Sequence, residues 1–359
     1  MSTTVIDFTG LARREVELRG ARPGLRRRDA AEALGVCEAA LVEALRISEG
    51  GALSLRRPTS PEGFGELLKE LPPLGRLMAL TRNEHCVHEV YGAYAAPQLF
   101  GAMGMTLGAI DLRLFLSNWR FGYALTEQTE RGPRRSLHFF DASGEAVHKI
   151  YATAETDLEA WEALVSRWTD PAPAAPEYVA PPPRRAGRPD AEVDLEALRA
   201  GWAAMRDPHD FETLLKKHDV TRIQALALVG EEFARPVARE SIRTVLEGAA
   251  AGEVPLMVFV GNRGCIQIHT GAPRTVKVMG PWLNILDPGF NLHLREDRVA
   301  SAWVTRKPAG ADHVHALELY DETGFCFARV FGERHGDEAE RADWRALATG
   351  LAPAVGELA

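Results

Sequence analysis

Arg82-Asn-Glu-His-Cys-Val-His-Glu-Val-Tyr-Gly92 and Asn262-Arg-Gly-Cys-Ile-Gln-Ile-His-Thr-Gly271 are two versions of one segment, and their kinship decides the fold. Working outward from each, the chain keeps answering itself. Ile110-Asp-Leu-Arg-Leu-Phe-Leu116 is matched by Phe290-Asn-Leu-His-Leu-Arg-Glu296, and Leu137-His-Phe-Phe-Asp-Ala-Ser-Gly144 by Leu317-Glu-Leu-Tyr-Asp-Glu-Thr-Gly324. Trp161 and Trp344 then stand in matching segments of helical character. The offset holds at about 180 residues, far longer than the 20–50 residues of a solenoid unit, so the chain is read as a duplicated domain. Between the copies, Thr169 to Asp190 is proline-rich and has neither helical nor strand period. Proline density makes such a stretch an extended, semi-rigid connector. The expected organisation is an N-terminal repeat over 1–168, a linker over 169–190 and a C-terminal repeat over 191–359.

Each copy follows the same plan. Apolar residues three and four apart predict helices over Asp29–Leu45 and Phe64–Leu71 in the first, and over Leu195–Met205, Phe211–Leu228 and Ile242–Leu246 in the second. Strands follow. Leu256 to Ile268 reads as a hairpin turning at Gly261–Gly264, and the Asp141-Ala-Ser-Gly144 and Asp321-Glu-Thr-Gly324 segments each join two alternating runs. Helices segregated before antiparallel hairpins, with a closing helix at the tryptophan, predict an α+β fold in which a large central antiparallel sheet is flanked by helices.

Composition narrows the function. The 359 residues carry a net charge of −8, which disfavours a general nucleic-acid binder. No run of 18 apolar residues predicts a membrane span. The opening Met1-Ser-Thr-Thr-Val-Ile-Asp7 lacks the layout of a secretory signal, and the four cysteines form no CxxC pair, so a reducing, cytoplasmic setting is expected. There is no phosphate-cradling glycine motif, no GxSxG and no HExxH.

Two side chains stand out for chemistry. In Arg206-Asp-Pro-His-Asp-Phe-Glu-Thr-Leu-Leu-Lys-Lys-His218, Asp207 is a credible N-cap, Pro208 suits the first helical position and Asp210 completes a capping-box-like pattern. The apolar stripe is Phe211, Leu214 and Leu215, so His209 points away from it and is open to a ligand such as haem iron. In the strand Ile110–Leu116, alternation puts Arg113 on the face opposite Ile110, Leu112 and Leu114, where it could reach a carboxylate or a bound water. His293 takes the matching place in the second copy. His85 and His88 flank Cys86, and a spacing of three suits a shared metal on a helix, not on a strand.

Arg82-Asn-Glu, Val87-His-Glu, Asp111-Leu-Arg-Leu-Phe-Leu, Val258-Phe-Val-Gly-Asn-Arg-Gly-Cys, Trp282-Leu-Asn, Ala302-Trp-Val-Thr-Arg-Lys-Pro308 and Leu317-Glu-Leu together resemble the bacterial hemin-degrading factor or hemin transport family of the HemS/HmuS type. The resemblance runs from about Arg28 to Trp344. It implies a cytoplasmic protein of iron acquisition that binds one haem in its C-terminal half. It also implies His209 as the iron ligand, Arg113 as the arginine reaching the other side of the haem, and Arg222 and Arg334 near the propionates. Phe259 and Phe331 would be pocket walls, and His88 matches a ligand proposed in the N-terminal half of some members. One departure is Met279-Gly-Pro281, where relatives often carry a lysine. Two activities follow from the resemblance: oxidative opening of haem with an external reductant, or carriage of haem from an ABC transporter to a separate haem oxygenase.

Overall fold

The computed structural model describes residues 6–310, 312–336 and 338–354. The chain opens with helices α1 (Phe8–Ala21), α2 (Arg27–Leu34) and α3 (Glu38–Glu49), then strand β1 (Ala52–Ser54) and the short α4 (Gly65–Leu68). Strands β2 (Gly75–Arg82), β3 (Cys86–Ala93), β4 (Gln98–Phe100), β5 (Met103–Thr106) and β6 (Asp111–Phe115) follow. The first half ends with β7 (Phe121–Thr129), β8 (Gly132–Phe140), β9 (Ala146–Thr156) and α5 (Leu158–Trp168). The second half repeats the order. It begins with α6 (Leu195–Ala203), α7 (Asp210–His218), α8 (Arg222–Val229), β10 (Ala234–Val237) and α9 (Ser241–Ala251). Then come β11 (Leu256–Gly261), β12 (Cys265–Gly271), β13 (Val276–Met279), β14 (Trp282–Asp287) and β15 (Phe290–Arg295). It closes with β16 (Ser301–Ala309), β17 (Asp312–Tyr320), β18 (Cys326–Gly332) and α10 (Ala342–Thr349).

The α+β class and the tandem plan stand, but the strands form two large sheets where one was expected. Each has nine strands, in the orders β1-β7-β8-β9-β2-β3-β15-β14-β13 and β10-β16-β17-β18-β11-β12-β6-β5-β4. The expected hairpins are present, with β8 on β9 from Ser136↔Tyr151 to Phe140↔Ala146, and β17 on β18 from Ala316↔Phe331 to Tyr320↔Cys326. Two predicted helices are broken. Asp29–Leu45 divides at Gly35, and Phe211–Leu228 divides at Asp219, because both take the left-handed conformation that ends a helix.

The chain forms two compact units. Unit 1 comprises Met1–Arg82, Glu89–Pro182 and Asn262–Gln267, and unit 2 comprises Asn83–His88, Pro183–Gly261 and Ile268–Ala359. The two short segments that change sides correspond under the repeat, and each carries an asparagine with the same role. Asn262 accepts from the Gly264 and Cys265 N–H groups and donates to the Arg82 and Val147 carbonyls. Asn83 accepts from His85 and Cys86 and donates to Gly261 and Phe327. The hairpin turns also match atom for atom. Asp141 Oδ1 takes the Ser143 N–H and Oγ at 2.8 and 2.6 Å, and Asp321 Oδ1 takes the Thr323 N–H and Oγ1 at the same distances.

Unit 1 has its core in Leu11, Ala30, Leu41 and Ala44 of the first three helices, extended by Val42, Tyr123, Leu125 and Phe140 where α3 meets the sheet. Unit 2 packs Leu198, Trp202, Phe211, Leu214, Leu226 and Val229 against Trp303 and Tyr320. The proline-rich stretch has no regular element over 173–189, yet it is held at both ends. Tyr178 packs edge-on to Phe121 in unit 1, while in unit 2 the Arg188 N–H bonds to the Asp219 carbonyl at 2.8 Å.

Candidate functional site

Local chain chemistry sets His209 apart. Asp210 Oδ2 accepts from the Arg206 and Asp207 N–H groups at 3.2 Å, and Asp207 Oδ1 accepts the His209 N–H at 2.8 Å. This reciprocal capping fixes the turn that leads into α7. Asp207 Oδ1 also meets His209 Nδ1 at 2.5 Å. With Nδ1–H donating to a carboxylate, Nε2 keeps its lone pair and faces outward, since the side chain is 94% exposed. The His209 backbone N–H, then its ring and Arg334, hold the Asp207 carboxyl below its ordinary pKa, so the anion that orients the ring is maintained. This is the carboxylate–histidine pairing that tunes metal-bound imidazole.

Behind this turn lies an array of rings and cations. Phe211, buried, is flanked by the Arg222 guanidinium at 4.7 Å and the Lys307 ammonium at 4.5 Å from its ring centre. A capping box between Thr221 and Gln224 starts α8 and places Arg222 in its first turn. Arg222 reaches Glu318 at 3.2 Å, and Glu318 is wholly buried. Its carboxylate also takes Lys307 at 2.5 Å and the Tyr320 hydroxyl at 2.6 Å. Burial opposes ionisation of Glu318, but Lys307, Arg222 and Arg329 outweigh it and hold the carboxyl far below its usual range.

The sheet supplies an apolar wall. Antiparallel pairing sets Met257 opposite Phe331 and Phe259 opposite Arg329. The Phe259 and Phe331 rings lie 5.0 Å apart and half-buried, and the Arg329 guanidinium sits 5.6 Å from the Phe259 ring centre. Among the described residues Arg329 has no hydrogen-bonded or ion-pair partner. A cleft of about 330 Å³ is lined by Arg184, Arg185, Arg222, Arg329, Phe325 and Cys326, among others. Its cationic rim suits a ligand with carboxylates.

Unit 2 thus gathers His209, Arg222, Arg334, Phe259 and Phe331. Arg222 differs from expectation because Glu318 and Glu212 already engage it, so it reaches a ligand carboxylate only in competition with them. Sequence reasoning missed Arg329, Lys307 and Glu318. Arg329 shares strand parity with Phe331, and Glu318 lies between Leu317 and Leu319, so period-two reading was the available signal. Arg113 belongs to unit 1, where its guanidinium pairs with Asp111 on the half-buried face of β6, opposite Leu112 and Leu114, as alternation required. His88 is completely buried, with Nε2 3.2 Å from the Val258 carbonyl and its ring 4.8 Å from Phe290. Burial, with His269 nearby, pushes it down to about 3. His85 pairs with Asp321 and not with His88.

Haem would need a nitrogen donor, an apolar wall and cations for two carboxylates, and His209, Phe259 with Phe331, and Arg329 with Arg334 are of the types that would supply them. Comparison with known proteins points the same way. The family model of the haemin-degrading HemS/ChuX domain matches residues 42–168 and again 219–351. The chain is similar to the hemin transport protein HmuS of Yersinia pestis, 38% identical over 340 residues, 92% of this chain and 94% of that protein. Among solved structures it is similar to holo-PhuS, a haem-binding protein from Pseudomonas aeruginosa, at 42% identity and TM-score 0.92, over 97% of this chain and 100% of that one. The haem-degrading enzyme ChuS of Escherichia coli O157:H7 is 38% identical with TM-score 0.89, over 96% of this chain and 100% of that one.

Proposed function

The chain belongs to the haemin-degrading HemS/ChuX family, and from that membership we propose that it binds haem in cytoplasmic haem utilisation and opens it oxidatively to release iron. The observation that carries the reading is the Asp207–His209 pair, an exposed imidazole with Nδ1 held at 2.5 Å and Nε2 open. Bound haem would supply an iron centre that takes up dioxygen and electrons from an external reductant. The chain's own part is to hold and orient. His209 offers Nε2, and Asp207 orients the ring by accepting from Nδ1. Phe259 and Phe331 offer the macrocycle an apolar face from which water is excluded. Arg329 and Arg334 attract propionates, since among the described residues neither guanidinium is ion-paired to a carboxylate. Arg113 enters on the family resemblance, as the group that would donate a hydrogen bond to a ligand on iron.

A second reading, carriage of haem from an uptake transporter to a separate oxygenase, is favoured by the 94% exposure of the His209 side chain, which eases transfer between proteins. Hemin titration followed by ascorbate under air, with catalase present to remove free peroxide, separates the two. A saturable Soret band that gives way to a defined bilin supports degradation. A band that persists supports carriage, and no saturable binding overturns both.

A further inference from the structure

Outside the His209 array, Glu84, His85 and Asp321 place one imidazole nitrogen and two carboxylate oxygens within 4.8 Å of one another. All three belong to unit 2. His85 Nε2 lies 3.1 Å from Asp321 Oδ2 and 3.9 Å from Glu84 Oε2. Ligand atoms on a tetrahedral zinc ion, about 2.0 Å from the metal, stand about 3.3 Å from one another, so the observed spacings bracket what a shared ion requires. We propose that Glu84, His85 and Asp321 form a binding site for a divalent first-row transition metal, distinct from the haem ligand His209.

The two inner donors are set in place independently of any ion. Asp321 is buried, and its Oδ1 is occupied by the Thr323 N–H, the Thr323 hydroxyl and the Phe325 N–H, which leaves Oδ2 turned to His85. The His85 ring rests edge-on against Phe327, 5.4 Å between centres, and its backbone N–H is tied to Asn83. Glu84 is the adjustable member, with its side chain 60% exposed. One imidazole with two carboxylates suits zinc, iron(II) or manganese(II) over the softer, thiolate-seeking ions.

A resident cation already occupies this place. The Arg184 guanidinium lies 3.6 Å from Asp321 and 3.8 Å from Glu84, and stacks over the Phe325 ring at 4.6 Å. A bound metal therefore competes with Arg184 for the same two carboxylates. Removing Arg184 should tighten metal binding while removing His85 weakens it, a pair of opposite effects that a merely structural ion-pair cluster would not produce. The proposal does not rest on the haem reading.

The test is titration of the haem-free full chain with Zn2+ by calorimetry, repeated with Co2+, whose visible absorption reports coordination by protein nitrogen and oxygen. We expect saturable binding of one ion in wild type and in His209→Ala. Affinity should fall tenfold or more in His85→Ala and rise about tenfold in Arg184→Ala, on the scale at which groups around a metal alter its binding. Binding lost in His209→Ala and kept in His85→Ala would place the ion on the haem ligand and overturn the proposal. So would the absence of saturable binding in both wild type and Arg184→Ala. Circular dichroism of each variant separates loss of a ligand from loss of fold.

Discussion

His209 owes its availability to a side chain two positions earlier. Replacing it with alanine removes no packing, since the ring is exposed, so His209→Ala is expected to unfold at the wild-type temperature while losing the saturable Soret band on hemin titration. Asp207→Asn keeps an oxygen at the cap but gives up the charge on Nδ1–H. Haem affinity should fall 10–100-fold with the fold intact. Unchanged affinity would mean that Asp207 only holds the turn before α7. The buried histidines make a different prediction. Burial pushes His148 down to about 3, although its ring is satisfied by the Tyr94 hydroxyl at 2.7 Å and Thr81 at 2.9 Å. Burial likewise lowers His88 to about 3 and His269 to about 4. Folded values below the ordinary 6.5 mean that the unfolded chain binds more protons, so stability rises with pH between about 4 and 6.5 and is lost as pH falls through that window. Each histidine contributes up to ~1.4 kcal/mol per pH unit there. Urea midpoints at pH 5, 6 and 7 should decline on acidification, with a shallower decline in His148→Gln. Equal slopes in the two proteins would remove His148 from the account.

Helices α7 and α8 convert capping into ligand geometry. Thr221 Oγ1 takes the Gln224 N–H at 3.2 Å and Gln224 Oε1 takes the Thr221 N–H at 3.1 Å, directly before Arg222. Thr221→Ala is therefore expected to cost about 1 kcal/mol of stability in denaturant unfolding. Because a ligand carboxylate reaches Arg222 only in competition with Glu318, loosening that contact should also tighten hemin binding. A stability loss without a change in affinity would separate Arg222 from the ligand. The break at Asp219 was not legible as a periodicity fault, because the apolar positions on either side remain in phase. It needed the left-handed residue, φ 53°, which the carboxylate of an aspartate tolerates. The strands were easier to read, since alternation alone set Leu112 and Leu114 inside and Arg113 on the other face.

For the molecule as a whole, the transferred segments decide how separable the copies are. In unit 1, Asn262 holds the Arg82 and Val147 carbonyls, and the Gly264 carbonyl accepts the indole N–H of Trp119, itself fully buried, at 2.8 Å. Residues 1–182 expressed alone lack all of these partners. Buried polar groups left unpaired cost about 1–3 kcal/mol each. The fragment is therefore expected to lose the sharp thermal transition of the intact chain by circular dichroism. A cooperative transition at the intact chain's temperature would show that the exchanged segment is dispensable.

Repetition, strand parity and capping chemistry depend on neighbours a few residues apart or on likeness between distant segments, and those are present in the order of residues. They sufficed for the α+β class, the two copies, the hairpins and the isolation of His209. The division of strands into two sheets, the transfer of Asn83–His88 and Asn262–Gln267 between units, and the burial of His88 did not follow from them. Nor did the engagement of Arg222 by Glu318, or the meeting of His85 with Asp321. Each of these sets side chains more than 80 residues apart against one another or replaces water with protein around a polar group. A local pattern carries no information about which distant surface will supply the partner or the cover.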